Sequence, residues 1–217
     1  MEQIVLVIGI GLASFLIGSV PTAYLLVHFQ HGKDLRREGS GNIGTLNAYE
    51  VSRSRRTGIM VLLIDALKGA LPIAALHLFL ESDGTSTMPI MIAGAALLGA
   101  VAGHNYSPWI GWKGGRGLAT AAGASLLINP VFVGIWGVFW LAGFFKTRSV
   151  HFANIAATIL LPFTVLLGQQ AVTSVTMFPD PDGRGTVMIA FLMSLLVFLR
   201  HIEPLKQLIT SSGKSSG

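Results

Sequence analysis

Residues 4–27 read IVLVIGIGLASFLIGSVPTAYLLV and contain no charged side chain. Inside the hydrocarbon core of a bilayer, every backbone amide must be hydrogen-bonded within the protein, so about 20 apolar residues in a row predict a transmembrane helix. The run has no basic leading segment and is longer than the core of a signal peptide. We therefore predict a retained membrane helix from Ile4 to Val27.

The composition of the whole chain agrees with this. Of the 217 residues, 52% are hydrophobic and 12% are charged, which is not the composition of a soluble globule. The net charge of +5 lies in short loops between apolar runs and favours anionic headgroups or phosphorylated substrates over nucleic acid. The absence of cysteine excludes disulfides, thiolate catalysis and cysteine-ligated metals.

Further apolar runs predict an all-α integral membrane protein. Four of them have the length of a membrane span or of its core: Ile59–Leu80, Met88–Val101, Phe152–Phe178 and Thr186–Leu199. A fifth run, from Leu118 to Phe145, is interrupted at Asn129-Pro130, so it is either one kinked crossing or two short ones.

The distribution of charge decides between these two possibilities, because basic loops are retained on the cytoplasmic side. The basic loops carry Lys33, Arg36, Arg37, Arg53, Arg55 and Arg56, then Lys113 and Arg116, then Lys146 and Arg148, then Arg200, Lys206 and Lys214. The opposite loops carry Glu81 and Asp83, then Asp180, Asp182 and Arg184. Basic groups flank the interrupted run, so it must return to its own side as two short crossings or a re-entrant hairpin. We predict about seven transmembrane helices, two of them short, with the N-terminus outside and the C-terminus in the cytoplasm. We further predict that residues 1–210 form one polytopic domain and that residues 211–217 are a flexible tail.

The first basic loop, HGKDLRREGSGNIGTLNAYEVSRSRR after Gln30, is a candidate phosphate site. Gly39, Gly41 and Gly44 allow main-chain amides to turn toward an anion. Ser40, Asn42 and Asn47 add neutral donors. The alternative is a flexible basic linker that is held to lipid headgroups by electrostatics.

The second basic loop, GHNYSPWIGWKGGRGLATAAG from Gly103, carries the strongest local signal. Gly114, Gly115 and Gly117 lead into a predicted helix start, where unpaired amides and the positive dipole end attract anions, and Lys113 and Arg116 add charge. The Walker order of residues is absent, which argues against nucleotide hydrolysis. The alternative is an interfacial turn with an aromatic belt formed by Tyr106, Trp109 and Trp112.

Other polar residues have two interpretations each. His104 is either a general base or a hydrogen-bonded structural residue at a helix end. Asp65 and Lys68, at helical spacing i,i+3 inside a span, either neutralise each other or present Lys68 to a substrate. His201 and Glu203 can converge only where the helix ends before Pro204. No metal site is predicted, because the remaining histidines lack carboxylate partners at ligand spacing.

In chain order these segments resemble motifs of the bacterial acyl-phosphate:glycerol-3-phosphate acyltransferase family, over nearly the whole chain. The family's GSGN-x-G-A-T-N loop is matched by Gly39, Ser40, Gly41, Asn42, Gly44 and Asn47; its D-x-x-KG element is matched by Asp65, Lys68 and Gly69. Its GH…P…KGGKG-x-AT segment is matched by Gly103, His104, Pro108, Lys113, Gly114, Gly115, Gly117, Ala119 and Thr120.

The resemblance implies an acyltransferase that moves a fatty acyl group from acyl phosphate to the 1-hydroxyl of glycerol 3-phosphate, giving lysophosphatidic acid for phospholipid synthesis. It implies a site on the cytoplasmic face of a bacterial inner membrane and no cofactor; the oligomeric state is left open. The predicted catalytic residues are Ser40, Lys113, His104, His201 and Glu203. The predicted phosphate-binding residues are Gly39, Gly41, Asn42, Gly44, Asn47, Arg53, Lys68, Gly114, Gly115, Arg116 and Gly117.

Several positions depart from the family pattern. Thr45-Leu46 is found where the family has Ala-Thr, and Glu50 where it has an arginine, which Arg53 supplies if the register shifts by one residue. Arg116 replaces a lysine, His151 and Asn154 replace two serines, and Pro204 replaces an asparagine. These departures leave open a divergent paralogue with altered or lost activity. A small-anion transporter and a lipid-binding scaffold are the alternatives from other functional classes.

Overall fold

In a computed structural model of the chain, residues 1–82, 90–206 and 210 are described, without the side chains of 80–82. The described residues form helices and turns and contain no strand, which confirms the all-α prediction for that part of the chain. The helices are α1 (Glu2–Gly18), α2 (Thr22–His31), α3 (Thr45–Ser52), α4 (Arg55–Ser82), α5 (Ile90–Asn105), a 3₁₀ turn (Pro108–Ile110), α6 (Leu118–Ile128), α7 (Val131–Thr147), α8 (Val150–Leu167), α9 (Gln169–Thr173) and α10 (Arg184–Leu199).

Four segments have the length and composition of a membrane span: Glu2–His31, Arg55–Phe79, Ile90–Ile110 and Val150–Leu167. Three shorter apolar helices accompany them: α6, α7 and α10. The chain is thus built for a bilayer, while the count of seven crossings and the orientation of the termini stay predictions. The predictions for Asp83, Met88, Lys214 and the tail 211–217, and that for the Glu81 side chain, concern parts of the chain outside the described residues.

The first predicted span is not one continuous helix. It breaks between Gly18, the last residue of α1, and Thr22, the first residue of α2. Pro21 accounts for the break, because a proline disfavours the helical conformation of the residue before it, here Val20. The break exposes main-chain carbonyls, and two side chains from elsewhere in the chain use them. Lys68 Nζ donates to the Val20 carbonyl (2.9 Å), and Ser107 Oγ donates to the Ser19 carbonyl (2.6 Å).

The interrupted run divides as the sequence predicted, into α6 and α7. Asn129 lies at the break, and its amide donates to the Val172 carbonyl (2.8 Å) and to Thr176 Oγ1 (2.7 Å). Its carbonyl oxygen accepts from the amide of Val131, at the start of α7. The side chain of Asn129 therefore supplies an acceptor for the first amide of α7 and connects the break to the segment that follows α8.

The predicted span from Phe152 to Phe178 is too long. Helix α8 ends at Leu167, Gly168 follows, and the chain continues as the short helix α9. Phe178 leaves the helix altogether and stacks on the ring of His77, with 4.5 Å between the ring centroids. Apolar composition alone does not show where a helix ends and an irregular segment begins.

Small residues allow close packing of the helix pairs that position the polar loops. Helix α1 packs along α5, and α4 packs along α6. A side chain at Gly18 would collide with the backbone of Ala100, and one at Gly69 would collide with the backbone of Thr120. This close approach, typical of membrane helix pairs, brings the C-terminal end of α5 and the start of α6 beside α4.

Candidate active site

A cleft of about 750 Å³ lies where α3, α4, α6, α7 and α8 meet. It is lined by Asn42, Gly44, Thr45, Leu46, Tyr49, Arg55, Gly58, Ile59, Leu62, Asp65, His104, Arg116, Gly117, Leu118, Ala119, Trp136, Trp140, Val150 and Asn154. Both predicted loops contribute to this lining, the first through Asn42 and the second through Arg116. The cleft is polar where the loops meet and apolar along α4 and α7, a combination that fits an amphipathic ligand.

The first loop is organised around the side chain of Asn47. Its Nδ2 donates to the carbonyls of Leu35, Glu38 and Asn42, and its Oδ1 accepts from the amide of Ser40 (2.9 Å). Asn47 is buried, and both of its N–H groups are already used. The expectation that Asn47 donates to a phosphate is therefore corrected: it holds the loop in shape instead. Gly39 and Gly41 have positive φ angles of 60° and 69°, as predicted for a loop that glycine makes possible.

The second loop is fixed from two sides. The Gly115 amide donates to the His104 carbonyl (3.0 Å), and Arg200 donates to the carbonyls of Gly114 (2.9 Å) and Gly115 (3.1 Å). The Gly115 amide is thus not free for a phosphate, which corrects that prediction. A side chain at Gly115 would meet the His104 ring and the Ile43 carbonyl, so the two loops touch at this glycine.

Two helix starts border the cleft. Helix α6 begins after Gly117, whose φ of 77° turns the chain, and Gly117, Leu118 and Ala119 line the cleft. Helix α3 begins after Gly44, and Gly44, Thr45 and Leu46 line the same cleft. In the described residues neither start has a side-chain cap, so the first-turn amides of both helices are available to anions.

Two arginines add positive charge between these helix starts. Arg55 begins α4, and Arg116 immediately precedes Gly117. Burial, and then the neighbouring charge of Arg200, lower the pKa of the Arg116 guanidinium below its ordinary value. An arginine nevertheless stays protonated at neutral pH, so these cations favour a negatively charged ligand.

A buried polar cluster lies beneath the second loop. Lys68 Nζ is 2.9 Å from Asp65 Oδ1, and His104 Nδ1 is 3.7 Å from the same oxygen. Of the two interpretations of Lys68, the pairing with Asp65 is the one observed. His104 and Asp65 line the cleft, whereas Lys68 borders a smaller cavity beside it that Asp65 and His104 also line. The contact of Lys68 with a phosphate stays a prediction.

His201 and Glu203 do not converge. His201 is fully buried, and its Nδ1 is 2.8 Å from the Val197 carbonyl, so the proton lies on Nδ1. Its Nε2 has no hydrogen-bond partner in the described part of the chain. Burial lowers the pKa of His201 to about 4, which keeps the ring neutral at pH 7. Glu203 is exposed.

Some predicted residues lie beside the cleft rather than in its lining. The side chains of Ser40, Lys113 and Arg53 are exposed and are not part of the lining. Arg55, Trp136 and Trp140 were not predicted as site residues, nor was the clamp that Arg200 forms through its two hydrogen bonds to the Gly114 and Gly115 carbonyls. Arg55 had a signal, its place at the start of a span, but the tryptophans and Arg200 reach the site only through tertiary packing.

Comparisons with known proteins agree on one family. The sequence profile described as glycerol-3-phosphate acyltransferase matches residues 8–211. The glycerol-3-phosphate acyltransferase of Geotalea daltonii is 36% identical over 208 residues, 95% of this chain and 94% of that protein. That of Syntrophotalea carbinolica is 34% identical over 204 residues, 93% of each chain. The crystal structure of PlsY, an integral membrane glycerol 3-phosphate acyltransferase in its glycerol 3-phosphate form, superposes with a TM-score of 0.75 at 26% identity, covering 94% of this chain and 92% of that one.

Proposed function

Because the chain belongs to the glycerol-3-phosphate acyltransferase family, we propose that its cleft moves a fatty acyl group from an acyl phosphate to the 1-hydroxyl of glycerol 3-phosphate. The products are lysophosphatidic acid and inorganic phosphate. The reaction takes place at the cytoplasmic face of a bacterial inner membrane, the face to which the basic loops are assigned. The observation that carries the proposal is that two uncapped helix starts and two arginines share one cleft with an apolar wall.

Each helix start binds one phosphate in this proposal. The α6 start, with Arg116, receives the acyl phosphate, because Leu118 borders both the cleft and an apolar pocket behind it. The α3 start, with Arg55, receives glycerol 3-phosphate, which has no apolar part. Ser40, and Lys113 on the solvent-exposed side of the second loop, approach the phosphates from the water side.

The acyl chain extends from the cleft into the apolar pocket. This pocket, of about 70 Å³, is lined by Leu118, Ala121, Ala122, Ser125, Phe132, Val133, Trp136, Thr158, Leu161, Met193, Ser194 and Val197. Trp136 borders both spaces, and its Nε1 donates to Thr158 Oγ1 (3.2 Å). An indole whose polar group is bound in this way presents only apolar surface to the chain.

The transfer itself needs no covalent enzyme intermediate. The acceptor hydroxyl oxygen attacks the acyl carbon, and the bond from that carbon to the phosphate oxygen breaks with its electron pair leaving on the phosphate. Arg116 and the α6 amides stabilise the negative charge of the departing phosphate. We assign the hydroxyl proton to His104, because it lines the cleft and His201 does not. Asp65, 3.7 Å from His104 Nδ1, is beyond hydrogen-bond distance but stabilises the positive charge of the ring once it has taken the proton.

A reconstituted assay tests the proposal. Purified protein in phospholipid vesicles receives palmitoyl phosphate and glycerol 3-phosphate, and both products are quantified. We expect one inorganic phosphate per lysophosphatidic acid and a loss of at least a hundredfold in kcat/KM for Arg116→Ala. Palmitoyl-coenzyme A replaces the donor in a parallel assay. Product from the coenzyme A ester alone, or from neither donor by a correctly folded protein, would contradict the proposed reaction.

A further inference from the structure

The guanidinium of Arg116 is held by a histidine from another helix. Arg116 Nη1 is 3.2 Å from His151 Nδ1, and the two residues are 35 positions apart in the chain. A guanidinium can only donate, so Nδ1 must be the unprotonated nitrogen of the ring. His151 is therefore neutral, with its proton on Nε2, when this contact forms.

Arg116 has little else to keep it in place. It lies between Gly115 and Gly117 in a loop, and within the described chain it forms no ion pair and no other side-chain hydrogen bond. Arg200, which is anchored to the carbonyls of the same loop, is close enough to repel it. Without His151, the Arg116 side chain would be free to turn away from Arg200 and out of the cleft.

A neutral acceptor is well suited to this position. A carboxylate would hold the guanidinium more firmly, but it would neutralise the charge and compete with a phosphate for the same N–H groups. A neutral imidazole occupies one N–H and leaves the charge and the remaining donors for the ligand. The contact therefore orients Arg116 without weakening its attraction for an anion.

His151 also connects the second loop to the wall of the cleft. It is in the first turn of α8, and its neighbours Val150 and Asn154 line the cleft. Asn154 in turn accepts a hydrogen bond from Trp140 Nε1 (2.7 Å), on α7. The contact thus links the residue that binds phosphate to the helices beside the acyl chain.

We propose that His151 is a positioning residue that holds Arg116 toward the acyl-phosphate group, so that the phosphate and the acyl carbon are aligned together; this rests on the function proposed above. Three departures from the family pattern meet here. Arg116 and His151 are hydrogen-bonded, and the exposed Glu50 carboxylate lies within electrostatic range of the His151 ring. Two of the three departures are thus in direct contact, and the third, Glu50, acts on the His151 ring through its charge.

A series of substitutions distinguishes a positioning role of His151 from a purely structural one. His151→Ala removes the acceptor, whereas His151→Asn keeps one, because asparagine Oδ1 occupies nearly the place of histidine Nδ1. We expect His151→Ala to lower kcat/KM for palmitoyl phosphate about tenfold or more and to leave KM for glycerol 3-phosphate unchanged. His151→Asn should recover most of the loss. His28→Ala, on α2 away from the cleft, is the matched control and should behave as wild type.

A double-substitution cycle tests the coupling directly. In an Arg116→Ala background, His151→Ala should have no further effect on kcat/KM, because the residue it positions is gone. Each variant is first checked for a wild-type elution profile and thermal transition. The inference is overturned if His151→Ala retains wild-type activity, if His151→Asn is as impaired as His151→Ala, or if the two effects multiply.

A binding measurement keeps this test separate from that of the proposed function. If the wild-type protein transfers no acyl group, the proposed function fails. The affinity of the protein for inorganic phosphate is then compared between wild type, His151→Ala and His151→Asn by calorimetry. Weaker binding in His151→Ala that His151→Asn restores supports the positioning role. Equal affinity in all three overturns it.

Discussion

The guanidinium of Arg200 donates a hydrogen bond from Nη2 to the carbonyl oxygen of Gly114, at 2.9 Å across 86 positions of the chain. Its Nε donates to the next carbonyl, that of Gly115 (3.1 Å). The same guanidinium lies 5.5 Å from the centre of the Tyr106 ring. The C-terminal end of α10 therefore fixes the path of the loop that precedes α6.

Removing this clamp should impair catalysis. Hydrogen bonds from a charged donor contribute about 1.5–3 kcal/mol each, so we expect Arg200→Ala to lower kcat/KM for acyl phosphate by tenfold or more. Arg200→Lys should recover only part of the loss, because one ammonium group does not reproduce the two-pronged contact. Lys206→Ala, an exposed cation near the same helix end, is the control. Equal activity of Arg200→Ala and wild type would show that the loop holds its shape unaided.

Breaking the buried pair of Asp65 and Lys68 by removing one partner should destabilise the protein. Asp65→Asn leaves a buried ammonium without its counter-ion, at a cost of about 3–5 kcal/mol. For a chain of this size that corresponds to a fall in Tm on the order of 10 °C in detergent. The double variant Asp65→Leu with Lys68→Met removes both charges and should recover much of the Tm but not the activity. A double variant less stable than Asp65→Asn would rule out this explanation.

The contact between the two loops should not tolerate a methyl group at Gly115. In Gly115→Ala the new Cβ would collide with the His104 ring and the Ile43 carbonyl, so the loops must separate. We expect acyl transfer to fall by at least a hundredfold, measured in the vesicle assay. Gly134→Ala serves as the control, because nothing lies within 4 Å of a Cβ at that position. Similar activity in both variants would place the reacting groups elsewhere.

Filling the apolar pocket should shorten the preferred acyl chain. Ala122 lines the pocket, and Ala122→Phe takes up space that the end of a palmitoyl chain needs. We expect kcat/KM to fall for palmitoyl phosphate and to change less for decanoyl phosphate, in assays with a series of donors. Ala13→Phe, on the exposed surface of α1, should leave the preference as it is. An unchanged preference in Ala122→Phe would exclude the pocket as the site of the acyl chain.

His201 should make stability depend on pH under acidic conditions. Its pKa is lowered to about 4 by burial, while in the unfolded chain it is about 6.5. Between these values the unfolded chain binds more protons, so the free energy of unfolding falls as the pH is lowered from about 6.5 to about 4. His201→Asn keeps a donor for the Val197 carbonyl and does not titrate. Its Tm should therefore fall less over this range than that of wild type; identical slopes would contradict the assignment.

Features that depend on local sequence were predictable. The break at Asn129-Pro130 and the glycine-led start of α6 follow from residues adjacent in the chain, and both were found where the sequence indicated them. The break at Pro21 had the same kind of signal, but the uninterrupted apolar character around it concealed it. Proline is a weaker guide inside membrane segments, because neighbouring helices satisfy the groups it leaves free.

Features that depend on distant contacts were not predictable. The residue type of Asn47 and its position in a glycine-rich loop predict a hydrogen bond to the ligand. Its observed partners are main-chain carbonyls, which the path of the loop places around it. The hydrogen bond from Arg116 to His151 and the clamp from Arg200 join segments whose separation in the sequence carries no information about their proximity. Helix packing brings them together, and one sequence does not reveal that packing.

The interruption before Pro21 also limits how the protein can be engineered. The carbonyls that it frees accept hydrogen bonds from Lys68 and Ser107, and Trp109 donates to Ser19 Oγ (2.8 Å). The first membrane segment is therefore not an interchangeable anchor. A chimera that carries an unbroken foreign helix in its place would insert into the bilayer. It would lose the carbonyl that accepts a hydrogen bond from the buried Lys68 ammonium and the one that accepts from Ser107, before α6.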